Sequence, residues 1–360
     1  MKRLFAFAAA AALLLGCGSA PKPEDGGGRI FPYDTQVRDL PNGLRAVTVK
    51  TPYPNIVALY VVVQVGSRNE VEPGRSGFAH LFEHMMFRGT ERFSPDQWNE
   101  IMQRAGAETN AYTTDDRTVY HAVFSKEDLQ PILDLEADRF QNLKYSEEIF
   151  RTETRAVLSE YNKSFSDPMR KLDEQLRNKA FTTHTYKHTT MGFIEDVEAM
   201  PDMYDYGLEF FHRYYRPEYT VVSIVGDVEH DQAQKLIEEY WGGWEKGSYQ
   251  APIPEEPPAS APQSIEIDFH APTLPLLAVS YRAPAYSDTV IDSAVLDLIS
   301  FQAFGESSEL YKRLVLDQQK VDFLYPGYLD HVDPYLFTVY ARVKKAEDVA
   351  DVQQQILAEI

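Results

Sequence analysis

Cysteine is nearly absent. The 360-residue chain has one, Cys17, which excludes an internal disulfide and any cysteine-rich metal centre. Basic charge is also scarce: 35 Lys and Arg against 55 Asp and Glu leave a formal net charge of −20. That balance argues against a nucleic-acid partner, because phosphate binding needs a basic face. No apolar run is long enough to cross a bilayer. The stretch Leu4–Leu15 falls short of the ~20 residues that a spanning helix takes. Core material, in contrast, is plentiful: 44% hydrophobic and 12% aromatic residues suffice for two domains at this length.

Lys2 and Arg3 followed by that short apolar run read as a targeting segment. Leu14-Leu15-Gly16-Cys17 resembles a bacterial lipobox. This implies cleavage before Cys17, lipidation of its sulfur and a lipid anchor to the membrane of the cell envelope. An ordinary signal peptide cut near Ala20 is the alternative. Gly18, where an aspartate would signal inner-membrane retention, points to the outer membrane, on its periplasmic or surface face. Residues 18–29, with proline, aspartate and four glycines, read as a flexible tether.

The chain is organised around Ser76–Thr90. His80 and His84 stand four apart, which on a helix places both imidazoles on one face within reach of one metal ion. Glu83 lies beside the second. H-x-x-E-H inverts the H-E-x-x-H order of zinc-protease helices. Two histidines are an incomplete set, since catalytic zinc usually takes three protein ligands. Glu153 and Glu160, seven apart in a helical stretch at 150–161, share a face. Glu160 is a candidate third ligand; a solvated helix face is the other reading. His184 and His188 are also four apart, but their threonine-rich surroundings read as a loop, so the helical-face argument fails there. His121 alternates within a strand and reads as structural.

Around this stretch, Asn42-Gly43 marks a hairpin turn. Strands are predicted at 45–50, 56–65, 116–124 and 219–225, the second apolar enough to be covered on both faces. Helices are predicted near 95–104, 129–140, 150–161, 201–215 and 231–241. A proline-rich linker at 246–263 separates a first domain, 30–245, from a second, 264–360. The second repeats the outline with strands at 264–270 and 275–282 and an apolar helix at 291–304. It has no H-x-x-E-H, so one half alone carries metal.

Several motifs fall in one order. They are Asn42-Gly43-Leu44, Gly66-Ser67, Gly77-x-Ala79-His80-x-x-Glu83-His84-x-x-Phe87-x-Gly89-Thr90, Asn110-Ala111-Tyr112-Thr113, the Glu153/Glu160 helix, Tyr214-Tyr215-x-Pro217 and Gly226-Asp227. In this the chain resembles the M16 (pitrilysin/insulinase) family of zinc metallopeptidases, and most of all bacterial members similar to mitochondrial processing peptidase. The resemblance runs from about Arg29 to the last residue. It implies an α+β fold of two homologous α/β-sandwich domains with mainly antiparallel sheets. The second is truncated at Ile360, so the sequence reads as a fragment. It also implies one Zn2+ per chain on His80, His84 and Glu160, with Glu83 as general base in the hydrolysis of peptides or unfolded polypeptide. Glu153 is implied as an outer group orienting a ligand histidine. Asn110, Ala111 and Tyr112 are implied as a strand edge that binds substrate.

One departure stands out. The family's arginine and, seven residues on, tyrosine that hold the substrate backbone are not in register within 314–323; Arg313 and Tyr325 are misspaced. This implies a homodimer, or a heterodimer with a paralogue that supplies the pair, or a chain that tolerates its loss. A catalytically silent envelope subunit serving binding or assembly is the alternative reading. The intact set His80, Glu83, His84 and Glu160 favours the enzyme.

Overall fold

The computed structural model describes residues 31–360. The targeting segment, Cys17 and the tether at 18–29 lie outside the described residues. No described helix is long and apolar enough to cross a membrane.

Runs of alternating apolar residues build a first, six-stranded sheet. Its strands are β1 (Asp34–Asp39), β2 (Arg45–Lys50), β3 (Ile56–Val63), β4 (Glu108–Thr113), β5 (Thr118–Ser125) and β6 (Thr220–Gly226), in the spatial order β1-β2-β6-β3-β5-β4. The β2–β6 pair is parallel; β6–β3, β3–β5 and β5–β4 are antiparallel. The register aligns Leu59 with Ala122 on one side and Ile224 on the other, and all three are buried. The expectation that the second strand is covered on both faces is not met. In β3, Val57, Leu59, Val61 and Val63 are buried while Ala58, Tyr60 and Val62 are half-buried. The strand ends at Val63, and its period of two is that of a sheet covered on one face.

The buried face carries helices α1 (Phe78–Met85), α2 (Pro95–Arg104), α3 (Leu129–Asn142) and α4 (Glu147–Ser164), and after α5 (Pro168–Ala180), whose Leu176 and Ala180 pack on a separate cluster, α6 (Ile194–Ala199), α7 (Tyr204–Tyr214) and α8 (His230–Trp241), around one core. In α1, Phe78, Leu81, Phe82 and Met85 recur at helical spacing and are fully buried. Phe82 packs against Phe210, Phe211 and Tyr215 at ring-centroid separations of 5.1, 6.1 and 5.8 Å. Burying one such ring stabilises by roughly 1.5–3 kcal/mol. Helix α4 starts at Ser146, whose hydroxyl accepts from the Ile149 N–H, with Glu147 and Glu148 in the first turn. Phe150, Glu153, Thr154, Val157 and Tyr161 form its buried stripe.

The second half holds β7 (Leu276–Ala283), α9 (Asp292–Ile299), α10 (Glu309–Tyr311), β8 (Val321–Gly327), β9 (Tyr335–Val343) and α11 (Val349–Glu359). Its antiparallel sheet runs β7-β9-β8. That order repeats β3-β5-β4 of the first sheet, so the two halves are homologous in topology as well as in sequence outline. The expected strand at 264–270 does not form. Its counterpart β2 pairs with β6, a late strand of the first half, and the second sheet has no such strand among the described residues. Without a partner, Ile265 stays exposed in irregular chain. The helix expected at 291–304 is helical through Ile299 and continues as a π turn at Ser300–Phe304. Its Ile291, Leu298 and Phe301 are exposed. In the first half α1 is buried against α4 and α7; α9 has no such cover among the described residues.

Candidate metal centre

The histidine helix begins at a glycine for a steric reason. Gly77 has φ +90°, and a Cβ there would meet the Met191 carbonyl at 3.0 Å. The first turn is then capped by a residue distant in the local pattern: Glu70 accepts the N–H groups of Gly77 at 2.8 Å and Ala79 at 2.7 Å. A carboxylate at a helix N-terminus satisfies amides that have no partner within the helix and suits the positive end of its dipole. Glu70 is buried, and that burial pushes its carboxyl up to about 8 against the two amide hydrogen bonds.

Helix α4 crosses beside α1 and brings Glu160 to the two histidines. Glu160 Oε2 stands 3.4 Å from His84 Nε2 and 3.7 Å from His80 Nε2. The three ligand atoms all lie within 4.8 Å of one another. An ion held tetrahedrally at about 2.0–2.1 Å from each ligand spaces its ligands roughly 3.4 Å apart. The donor set and its spacing therefore fit zinc. His80 is buried, and that burial, with His84 beside it, pushes its ring down to about 4, so its lone pair is available. His84 shifts the other way: Glu153 beside its Nδ1, at 3.8 Å, raises it, and Glu160 and Glu83 add to the effect. Burial opposes ionisation of Glu153. His84 and Arg88 outweigh it and hold this carboxyl below its ordinary value, Arg88 through ion-pair contacts of 3.0 Å.

Glu83 stands one turn from His80 on the same face of α1 and reaches β4. The Thr113 hydroxyl donates to Glu83 Oε2 at 2.6 Å. Burial raises the Glu83 carboxyl above its ordinary value, against this hydrogen bond. β4 is the terminal strand of its sheet, so one edge is open. The Ala111 N–H is met by the side-chain oxygen of Asn110 at 2.9 Å instead of a neighbouring strand. Asn110 and Tyr112 are exposed, and Ala111 packs towards the core.

The structure thus brings His80, His84 and Glu160 together, sets Glu153 beside His84, and ties Glu83 through Thr113 to β4, the edge strand that carries Asn110, Ala111 and Tyr112. Sequence reasoning missed Thr113, Arg88 and Glu70. The first two sit inside motifs already singled out. Glu70 is an acid in a loop with no local signal. The histidines at 184 and 188 are structural: His184 Nε2 lies 2.9 Å from Asp333, and His188 is buried beside Glu70 at 3.7 Å.

The chain has relatives among known proteins in both sequence and fold. The profile of the insulinase (peptidase family M16) domain matches residues 45–193, and that of the peptidase M16 inactive domain matches 205–360. The second match starts ahead of β6 and α8, which the sheet assigns to the first half. The chain is 29% identical to zinc protease PqqE of Helicobacter pylori over 77% of its own length and 62% of that protein. It is 27% identical to the probable mitochondrial-processing peptidase subunit beta of Schizosaccharomyces pombe over 78% of its length and 62% of that protein. The chain therefore spans about three-fifths of the length of these curated relatives. The crystal structure of a protease from Helicobacter pylori superposes with a TM-score of 0.85 at 26% identity, covering 91% of this chain and 79% of that one. With both halves matched in sequence and fold, the chain belongs to the M16 (insulinase) peptidase family.

Proposed function

We propose that the chain is a zinc-dependent endopeptidase that hydrolyses peptides or unfolded segments of polypeptide at the bacterial envelope. The observation that carries this reading is the convergence of His80 Nε2, His84 Nε2 and Glu160 Oε2 within 4.8 Å, with Glu83 held by Thr113 on the side of the open β4 edge. A zinc ion on those three residues supplies a Lewis acid for the scissile carbonyl and the attacking water. The open edge of β4 binds an extended substrate through main-chain hydrogen bonds, the Ala111 N–H exchanging its Asn110 partner for a substrate carbonyl. Glu83 takes the proton of the attacking water and delivers it to the leaving amine. Its raised carboxyl brings it closer to the operating pH than an ordinary glutamate. The envelope assignment rests on the segment ending in Cys17. A second subunit supplying the Arg/Tyr pair is part of the same proposal. Arg313 is engaged with Gln355 at 2.9 Å, and Tyr325 projects from β8 into solvent.

The test is metal content and peptide cleavage by the purified chain, alone and with a paralogous subunit, alongside Glu83→Gln. One zinc per chain is expected in both proteins. Cleavage should be about 10²- to 10⁴-fold lower in the variant. Equal cleavage by the two proteins overturns the role of Glu83, and a chain free of zinc at neutral pH overturns the site.

A further inference from the structure

The turn joining β4 to β5 and the loop joining β8 to β9 occupy equivalent places in the two homologous sheets, and they meet. Asp115 and Asp116, in the β4–β5 turn, are the first-half side of the contact. Asp115 is buried and accepts from Ser67 Oγ at 2.8 Å, from Arg177 Nη1 at 2.9 Å and from His331 Nε2 at 3.0 Å. The other ring nitrogen of His331 lies 2.7 Å from the Leu329 carbonyl, so both nitrogens of this buried ring face oxygens. Asp116 accepts from the Val332 N–H at 3.1 Å and from the Tyr186 hydroxyl at 2.6 Å. The turn is further tied by the Arg68 N–H, which donates to the Asp115 carbonyl at 2.8 Å. The close approach of that segment requires Gly66: a Cβ there would lie 2.2 Å from the Thr114 carbonyl.

The residue that opens this turn is Thr113, whose hydroxyl fixes Glu83. A chain of direct contacts therefore runs from the second half to the proposed base: His331 to Asp115, two residues of backbone to Thr113, and Thr113 to Glu83. We infer that the β8–β9 loop, through His331 and the Val332 N–H, is a positioning element for Glu83. The second half then contributes to catalysis by setting the base. The inference rests on the proposed role of Glu83. Thr113 and His331 are positioning residues, neither of them a ligand nor a proton carrier. A contact of 2.6 Å tolerates little displacement, and a shift of about 1 Å in a reacting group costs up to about 10²-fold in rate.

The experiment compares wild type, Thr113→Val, His331→Ala, His331→Gln and the double variant Thr113→Val/His331→Ala. It reads kcat, KM, zinc content and, in the metal-free chain, hydrogen exchange of residues 113–117 and 78–85. His331→Ala is expected to lower kcat by about tenfold or more with KM and zinc content unchanged. It should speed exchange at 113–117 and leave α1 protected. His331→Gln, which keeps a donor for Asp115, should recover most of the loss. The double variant should be no slower than Thr113→Val, because the two residues act in series. Multiplying effects in the double variant, or unchanged exchange at 113–117 in His331→Ala, overturns the inference. If wild type itself fails to cleave, the proposed function falls, and the exchange measurement still decides whether the loop holds the turn.

Discussion

His80 and His84 lie one helical turn apart, yet their surroundings push them in opposite directions. His80 is deep enough for burial to dominate, whereas His84 is flanked by Glu153 and Glu160. Glu153 is therefore the largest influence raising His84. Its own charge is maintained by Arg88. A group orienting a metal-ligating histidine typically accounts for 10- to 100-fold in metal affinity. Glu153→Gln is accordingly expected to weaken zinc binding by about that factor, with Glu160→Gln weaker still because it removes one of the three proposed ligands. Competition against a chelator of known affinity measures both. Equal affinity in Glu153→Gln and wild type would show that Arg88 and Glu153 serve only to pack α1 against α4.

At the level of elements, the site hangs on the two ends of α1. The spacing of His80 and His84 was legible in the sequence because helical periodicity is local. The face shared by Glu153 and Glu160 was legible for the same reason. That α4 lies across α1 was not, since it depends on the aromatic packing of Phe82 and Phe150 with α7. The strand expected at 264–270 shows the converse: alternation of Ile265, Ile267 and Phe269 is a local signal, but a strand also needs a partner, and none is present among the described residues. The cap on α1 was illegible because Glu70 reaches Gly77 and Ala79 only once the loop doubles back.

That cap has a pH signature. Burial lifts the Glu70 carboxyl from an ordinary 4.5 to about 8. A folded-state value above the unfolded one means that the folded chain binds the proton more tightly. The contribution is fully present below about pH 4.5 and is lost as the pH rises through about 8. Glu70→Gln keeps an accepting oxygen and cannot ionise. In the metal-free chain its urea midpoint should fall less than that of wild type between pH 5 and pH 8. Parallel profiles for the two proteins would assign the pH dependence to another group.

For the whole molecule the decisive feature is the junction between the halves. The proline-rich stretch at 246–263 reads as a spacer, but Glu256 within it accepts the N–H groups of Thr182, Thr183 and His184 at 2.8, 2.8 and 2.9 Å. Burial opposes its ionisation, yet these amides prevail and hold its carboxyl at about 2. Beside this anchor Phe181, Tyr186, Tyr335 and Leu336 form a separate buried cluster. Tyr335 is its centre: its ring stacks on His331 at 3.6 Å, lies 5.7 Å from Phe181, and carries the Arg177 guanidinium 5.2 Å above it. Apolar contact and charged hydrogen bonds thus fall on the same few residues, and those residues bridge two cores that are otherwise distinct. Halves coupled this strongly unfold together, so calorimetry of wild type should show one transition. Truncating a buried aromatic of this size costs about 3–5 kcal/mol, and at Tyr335 nearly all of it falls on the junction. Tyr335→Ala should therefore split the transition in two, with the first half retaining its melting temperature and the second melting earlier. A single transition shifted as a whole to lower temperature would show that the halves are joined by more than this cluster.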